Sequence, residues 1–392
     1  MYRSQRVHAL AATAVAALGL SACVANAPAG SSTQALTVDI SDEACVVSAN
    51  TSPSGVTTFM LTNNGTVRNE FEILADDKLR IVGERENVGP GTTVEYTIAL
   101  QPGTYYTACK TNMVGALVGV AEFTVTDSGQ SIEVSADDQE LIDSAVTNYT
   151  AYVRDQAGQL LEGTEKFVEL YLSGDTEAAK AAYAPTRMHY ERIEPTAEAF
   201  GDIDPALDLR EVDFQAGDSG VDEWIGWHVI EKDLWRPEGY AGLSDADKER
   251  MAKQLLADTQ RLYDLVYSED FSINIDEISN GAITLLEEVA TTKITGEEEA
   301  FSHTDLWDFV ANVEGAKVAF GNVQALAQKK DPELTASIEQ ALTDLQTALD
   351  AYKDGDGYVY YDTVDEAGRK ALSDKVNALR LPLAQLTAVI LK

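Results

Sequence analysis

The sequence predicts a multidomain β-plus-α protein in which a small β-sandwich precedes a large, all-helical bundle. Two patterns in the apolar residues carry this reading. From residue 35 to 127 they alternate with period two, as in strands with one buried face. From residue 138 to 392 glycine and proline thin out, and the apolar residues return at the i, i+3, i+4, i+7 spacing of amphipathic helices. Short polar stretches at residues 23–34 and 128–137 follow neither period and read as a tether and a linker.

In chain order, residues 1–22 combine Arg3 and Arg6 with an apolar run from Ala9 to Leu20 and no acid. This is the pattern of an export signal, too short to span a membrane. Leu20-Ser21-Ala22-Cys23 resembles a bacterial lipobox, which would make Cys23 the lipidated first residue of the mature chain. Ordinary cleavage near Ala25 to Ala27 is the alternative. Both readings place the working protein outside the cytoplasm, and the lipobox reading holds it on the extracytoplasmic (periplasmic) face of the cell membrane by a lipid anchor only. Strands follow at Leu36, Val38 and Ile40, then at Thr57, Phe59 and Leu61 before an Asn63-Asn64-Gly65 turn. Two more alternations run through Val94, Tyr96, Ile98 and Leu100 and through Leu117, Gly119, Ala121, Phe123 and Val125. Helices are expected at about 139–173, 176–201, 246–269, 279–292, 305–329 and 366–390. The clearest is marked by Leu334, Ile338, Leu342, Leu345 and Leu349, with Asp331 as N-cap and Pro332 at the first helical position.

The formal charge is −36, and removal of residues 1–22 takes away two arginines and no acid, moving it to −38. Such a surface repels phosphate and excludes nucleic acid as a partner. Acidity on this scale serves solubility, and it also concentrates cations near any carboxylate site. Apart from Cys23 the chain has two cysteines, Cys45 and Cys109. Outside the cytoplasm they form either a disulfide or a thiolate metal site.

Only four histidines are present, and one of them, His228, stands three residues before Glu231 in Gly226-Trp227-His228-Val229-Ile230-Glu231-Lys232. On a helix that spacing points an imidazole and a carboxylate at one spot. Further acids occur in helical stretches: Glu191 and Glu194; Asp202, Asp204 and Asp208; Glu287 and Glu288; Asp305 and Asp308 beside His303. Carboxylates with one or two imidazoles and no thiolate suit iron, manganese or zinc. Taken alone, Glu191 and Glu194 also read as a wet face paired with Arg187 and Arg192, and His303 as a residue beside a helix start. Trp224, Trp227, Trp235 and Trp307 are expected to pack the core near these segments.

Longer stretches carry a resemblance. Tyr183 to Pro195, Gly226 to Lys232, Gly281 to Val289, and Ser302 to Phe309 with Asn312-Val313-Glu314-Gly315 resemble the imelysin-like (M75-like) domain of the EfeO family of iron-uptake components. Glu70-Phe71-Glu72-Ile73-Leu74, Glu84 to Val88 with Pro90-Gly91, and Leu100 to Tyr105 are similar to the cupredoxin-like domain that precedes it in that family. The resemblance spans essentially the whole mature chain. It implies a lipid-anchored protein that binds iron, Fe(II) or Fe(III), and passes it to a ferric permease. A haem peroxidase would be its companion in an EfeUOB-type system. It also implies a bundle metal site of His228 and Glu231 with Glu191, Glu194, Asp208 and Glu288, and a second site, for copper or iron, at Cys45, Glu70 and Cys109.

Residues 35–127 contain no histidine, so the His2Cys centre of blue copper proteins has no ligands here. Copper would need Cys45, Cys109, Met113 and a carboxylate. With thiolates available, the sandwich could assist by oxidising Fe(II); with a disulfide it is a binding module. The reading is thus a transport component with no catalytic residue assigned. The enzyme alternative is a zinc metallopeptidase, because imelysin-like proteins have been grouped with peptidases. No H-E-x-x-H is present, and Glu231 would have to serve as both ligand and general base or recruit another carboxylate for one role.

Overall fold

The structure, a computed structural model, describes residues 35–74, 76, 78, 81–112, 117–128, 136–216, 221–269 and 271–392. The expected export signal, Cys23 and its tether, Met113 and most of the expected linker lie outside the described residues. Among the described residues, no helix is long and apolar enough to cross a membrane.

Among the described residues nine strands come first: β1 (Leu36–Ile40), β2 (Cys45–Val47), β3 (Thr51–Pro53), β4 (Gly55–Asn63), β5 (Asn69–Leu74), β6 (Ile81–Val88), β7 (Thr93–Leu100), β8 (Gly103–Thr111) and β9 (Val118–Thr126). They form two sheets, ordered β2-β1-β4-β7 and β3-β9-β8-β5-β6. The strands read from the alternation are β1, β4, β7 and β9. The Asn63-Asn64-Gly65 turn carries the chain from one sheet to the other, since β4 pairs with β1 and β7 while β5 pairs with β6 and β8. Inward-facing residues of both sheets meet in one core, where the Phe59 ring lies 5.2 Å from Phe71 and 5.8 Å from Phe123. Cys45 of β2 and Cys109 of β8 are joined by a disulfide that ties the sheets together.

Among the described residues eleven α-helices follow: α1 (Ala136–Ser173), α2 (Thr176–Glu191), α3 (Ile203–Asp208), α4 (Glu211–Ala216), α5 (Trp227–Trp235), α6 (Asp245–Tyr267), α7 (Ile275–Thr291), α8 (Asp305–Lys330), α9 (Pro332–Asp350), α10 (Glu366–Leu383) and α11 (Leu386–Ile390). Local chemistry sets several of their starts. The Asp175, Ser244 and Asp331 side chains each accept a hydrogen bond from a first-turn N–H, and Pro332 stands at the first position of α9. Two helices expected as continuous are broken. The stretch expected at 176–201 ends as α2 at Glu191 and resumes as a 3₁₀ helix over Glu194–Phe200, because Pro195 disfavours α geometry at the residue before it. The stretch expected at 366–390 divides at Ala384, two residues past Pro382, whose ring nitrogen has no N–H to continue the ladder.

The apolar stripes of these helices share a single core, with Trp227 fully buried and Trp224, Trp235 and Trp307 packed against it. Gly281 of α7 and Gly315 of α8 let both helices touch the chain between α2 and the 3₁₀ helix. A Cβ on either would collide with a backbone carbonyl, that of Pro195 or of Arg192. The sandwich also abuts α7. Arg85 Nη2 lies 2.6 Å from Glu287 Oε1, which Arg380 reaches at 2.9 Å, and the Ala99 N–H donates to Asp276 Oδ2 at 3.0 Å. Residues 35–392 accordingly form one compact unit.

Candidate metal centre

Helix α5 fixes the first pair. His228 and Glu231 face the interior, 2% and 0% exposed, with His228 Nδ1 3.3 Å from Glu231 Oε2. The other oxygen of Glu231 accepts from two backbone amides, Phe301 at 2.9 Å and Ser302 at 2.7 Å, which locks the carboxylate in place. On the opposite side of the ring, His228 Nε2 lies 3.4 Å from Oδ1 of Asp208, the last residue of α3, and makes no hydrogen bond of good geometry. Burial and the Arg187 charge oppose a proton on His228. Its contacts with Asp208 and Glu231 outweigh both and raise the imidazole to about 10. Those contacts act reciprocally. Burial alone would raise Glu231, but His228 and the two amides hold it below the ordinary range; Arg187 and His228 likewise bring Asp208 down against its burial.

Two acids that sequence reasoning missed complete the centre. Oxygen and nitrogen atoms of His228, Glu231 and Glu299 lie within 4.8 Å of one another, as do those of Asp208, His228 and Glu298. A borderline cation with ~2.1 Å bonds to such ligands needs only a small inward movement of these side chains. Glu299 accepts from Tyr183 Oη at 3.2 Å and Ser302 Oγ at 2.8 Å, and burial next to Glu231 pushes it up to about 8. The signal for both was the run Glu297-Glu298-Glu299. Like-charged runs usually read as solvated; here Glu298 and Glu299 are 4% and 0% exposed.

Basic residues hold the other expected ligands. Arg187, wholly buried on α2, reaches Glu191 at 2.5 Å, Glu299 at 2.7 Å, and Asp208. Lys293, also wholly buried, lies 3.3 Å from Glu191, 2.7 Å from Glu194 and 3.4 Å from Glu298. Asn312 Nδ2 donates to Glu191 at 3.0 Å and to Glu194 at 2.7 Å. The structure thus places Asp208 against the imidazole, while Glu191 and Glu194 lie in an adjoining layer around Lys293. Glu288 faces that layer from α7: burial raises its carboxyl and Lys293 opposes the rise. The wet-face alternative is half realised, since Arg187 does pair with Glu191, but in the interior; Arg192 instead reaches Glu314 at 2.8 Å.

Two histidines stay outside. His189 Nδ1 meets Gln156 Oε1 at 2.9 Å, and burial, aided by Arg192, lowers it to about 4. His303 has φ 58° in the turn before α8, and its carbonyl accepts from Tyr361 N at 2.8 Å.

In the sandwich the structure corrects the expected set Cys45, Glu70 and Cys109. The disulfide occupies both sulfurs, so neither is a thiolate. Glu70 instead converges with Glu72 and Glu84, their oxygens within 4.8 Å, and Lys110 stands 2.9 Å from Glu72.

Comparison with known proteins agrees with this two-part layout. The imelysin family matches residues 145–386, and the cupredoxin-like domain matches residues 11–119. Over 378 residues, 96% of each chain, the sequence is 38% identical to the "Iron uptake system component EfeO" of Escherichia coli (strain K12). This chain is an EfeO-type member of the imelysin family. The EfeO of Shigella sonnei (strain Ss046) matches with the same identity and coverage. A solved structure from Parabacteroides distasonis covers 67% of this EfeO-type chain and 97% of its own, with a TM-score of 0.49 and 15% identity. The shared arrangement, a cupredoxin-like sandwich ahead of an imelysin bundle, puts the His228 pair inside the family's helical domain.

Proposed function

We propose that this protein is the extracytoplasmic iron-binding component of an EfeUOB-type uptake system, capturing Fe(II) or Fe(III) at the His228 centre for a ferric permease. The observation that carries the reading is the imidazole held between Asp208 and Glu231, with Glu298 and Glu299 within reach. One nitrogen and several carboxylate oxygens make a donor set for a borderline-to-hard cation. Buried acids outnumber the fixed positive charges around them, and a multivalent ion relieves that excess. Iron is cargo here, so the site must release what it binds. Ligands that take up protons weaken the hold, and affinity therefore falls with pH.

Domain limits follow the same reading: export signal at 1–22, anchor at Cys23 with tether to 34, sandwich at 35–127, linker at 128–137, bundle from 138. The haem peroxidase of the uptake system would be the second partner. Copper-assisted oxidation of Fe(II) in the sandwich finds no thiolate while Cys45 and Cys109 remain bonded. A peptidase reading is disfavoured because both oxygens of Glu231 are engaged, so Glu231 itself is not free to activate water.

Calorimetric titration of iron into wild type and His228→Ala tests the proposal. A drop in affinity of about a hundredfold is expected for loss of a ligand, at least as large as for loss of a ligand's supporting contact. Equal affinity in the two proteins would defeat it.

A further inference from the structure

Asp308 stands out next to the His228 centre. It is 1% exposed, and neither of its carboxylate oxygens has a hydrogen-bond partner. The nearest cation, Arg187, holds its Nε 3.8 Å from Oδ1, beyond hydrogen-bonding distance. A buried carboxylate in that condition costs free energy whether charged or not, because protonation removes the charge but leaves an O–H with nothing to accept it. Asp305, Asp308 and Asn312 follow one another at i, i+3 and i+7 on α8, and one oxygen of Asp305 and the Oδ1 of Asn312 are likewise buried without a partner.

Arg187 accounts for only part of this region. Its planar fork hydrogen-bonds Glu191 and Asp208, while Nε, although 2.7 Å from Glu299, makes no hydrogen bond of good geometry. One guanidinium thus stands among four carboxylates and satisfies two. Burial, with Glu191 beside it, raises Asp308, so the charge neighbours of this carboxyl are the same acids.

We propose that Asp308, Glu191 and Glu299, each now facing the Arg187 guanidinium rather than converging within 4.8 Å of one another, close on a second, all-oxygen cation position beside the His228 centre, for which that guanidinium is a partial substitute. The chemistry selects a hard multivalent cation, since no nitrogen or sulfur donor takes part. Glu299 belongs to both positions, so a second ion would sit next to the first and share that carboxylate. The proposal rests on the reading of His228 as the first site and extends it from one ion to two.

Equilibrium dialysis of the full chain against Fe(II) under argon, followed by metal analysis, decides it. Wild type should retain two tight equivalents, Asp308→Asn one, and His228→Ala should lose the tighter one. Metal-free Asp308→Asn should melt no lower than wild type, because the replaced oxygen had no partner to lose. Two equivalents in Asp308→Asn, or one in wild type, would overturn the second position and leave the first intact. An Asp308→Asn chain that melts lower or fails to fold would also overturn it, by showing that Asp308 holds the fold. Full retention by His228→Ala would instead remove the first site, a separate failure.

Discussion

On β5 and β6 of the sandwich, Glu70, Glu72 and Glu84 bring their oxygens within 4.8 Å of one another beside Lys110; in the bundle, Asp208, Glu231, Glu298 and Glu299 gather around His228 with Arg187 and Lys293 close by. Both clusters are acidic, and they differ in the direction in which most of their carboxyls are shifted. Burial and mutual repulsion hold Glu70, Glu84 and Glu86 well above the ordinary carboxyl range, favouring their neutral forms. In the bundle Asp208, Glu231 and Glu298 lie below it, because His228, Arg187, Lys293 and Arg210 favour the ionised form over their burial, and Glu299 alone of that group is pushed up, to about 8, by burial and Glu231. Fixed positive charges, more than the number of acids, keep a buried carboxylate ready to hold a metal. The same charges would compete with a bound metal, which fits the proposed release of iron.

Breaking the sandwich's covalent tie tests how independent the two regions are. Cys45→Ser with Cys109→Ser opens a link between residues 64 apart, and chemical denaturation should show a loss of about 4 kcal/mol. Iron affinity should not change. If it fell, the sandwich would be part of the iron site. A smaller effect, confined to binding, is expected from the acids themselves. Glu231→Gln should weaken iron binding about a hundredfold, about 3 kcal/mol, through loss of a charged and doubly anchored ligand, whereas Glu72→Gln should leave it within about twofold. The reverse order in a titration would move the site to the sandwich.

The smallest effect concerns pH. Glu198, on the 3₁₀ helix and near Glu86, Glu277, Glu70 and Glu72, is pushed by burial and then by these acids from 4.5 up to about 8. It keeps a proton in the fold that the unfolded chain releases near 4.5. Its contribution to stability is therefore complete below that value and is lost as pH rises through 8. Metal-free protein should accordingly melt several degrees lower at pH 9 than at pH 6, and Glu198→Gln should flatten the slope. A steeper slope in that variant would contradict the assignment.

Period two and period 3.6 were enough to read both layers, because burial of one face leaves that trace in any strand or surface helix. Breaks at Pro195 and Pro382 were missed where an apolar stripe continued past the proline. At the centre, the H-x-x-E spacing pointed to His228 and Glu231, and the resemblance brought in Asp208. Glu298 and Glu299 were overlooked since nothing local distinguishes a buried acidic run from a solvated one. Lys293 was invisible for the same reason, and Arg187 was read only as the partner of a wet face: their role depends on acids that the fold brings in from more than a hundred residues away, such as Glu299 for Arg187 and Glu191 for Lys293.

Gly281 and Gly315 grip the peptide between Arg192 and Pro195 from two sides. Any larger side chain there acts as a wedge, spreading α7 from α8 just where Glu191 and Glu194 are anchored. On the proposed reading, iron affinity would be exposed to drift at two positions that contribute no donor atom, through nothing more than a methyl group introduced behind the pocket.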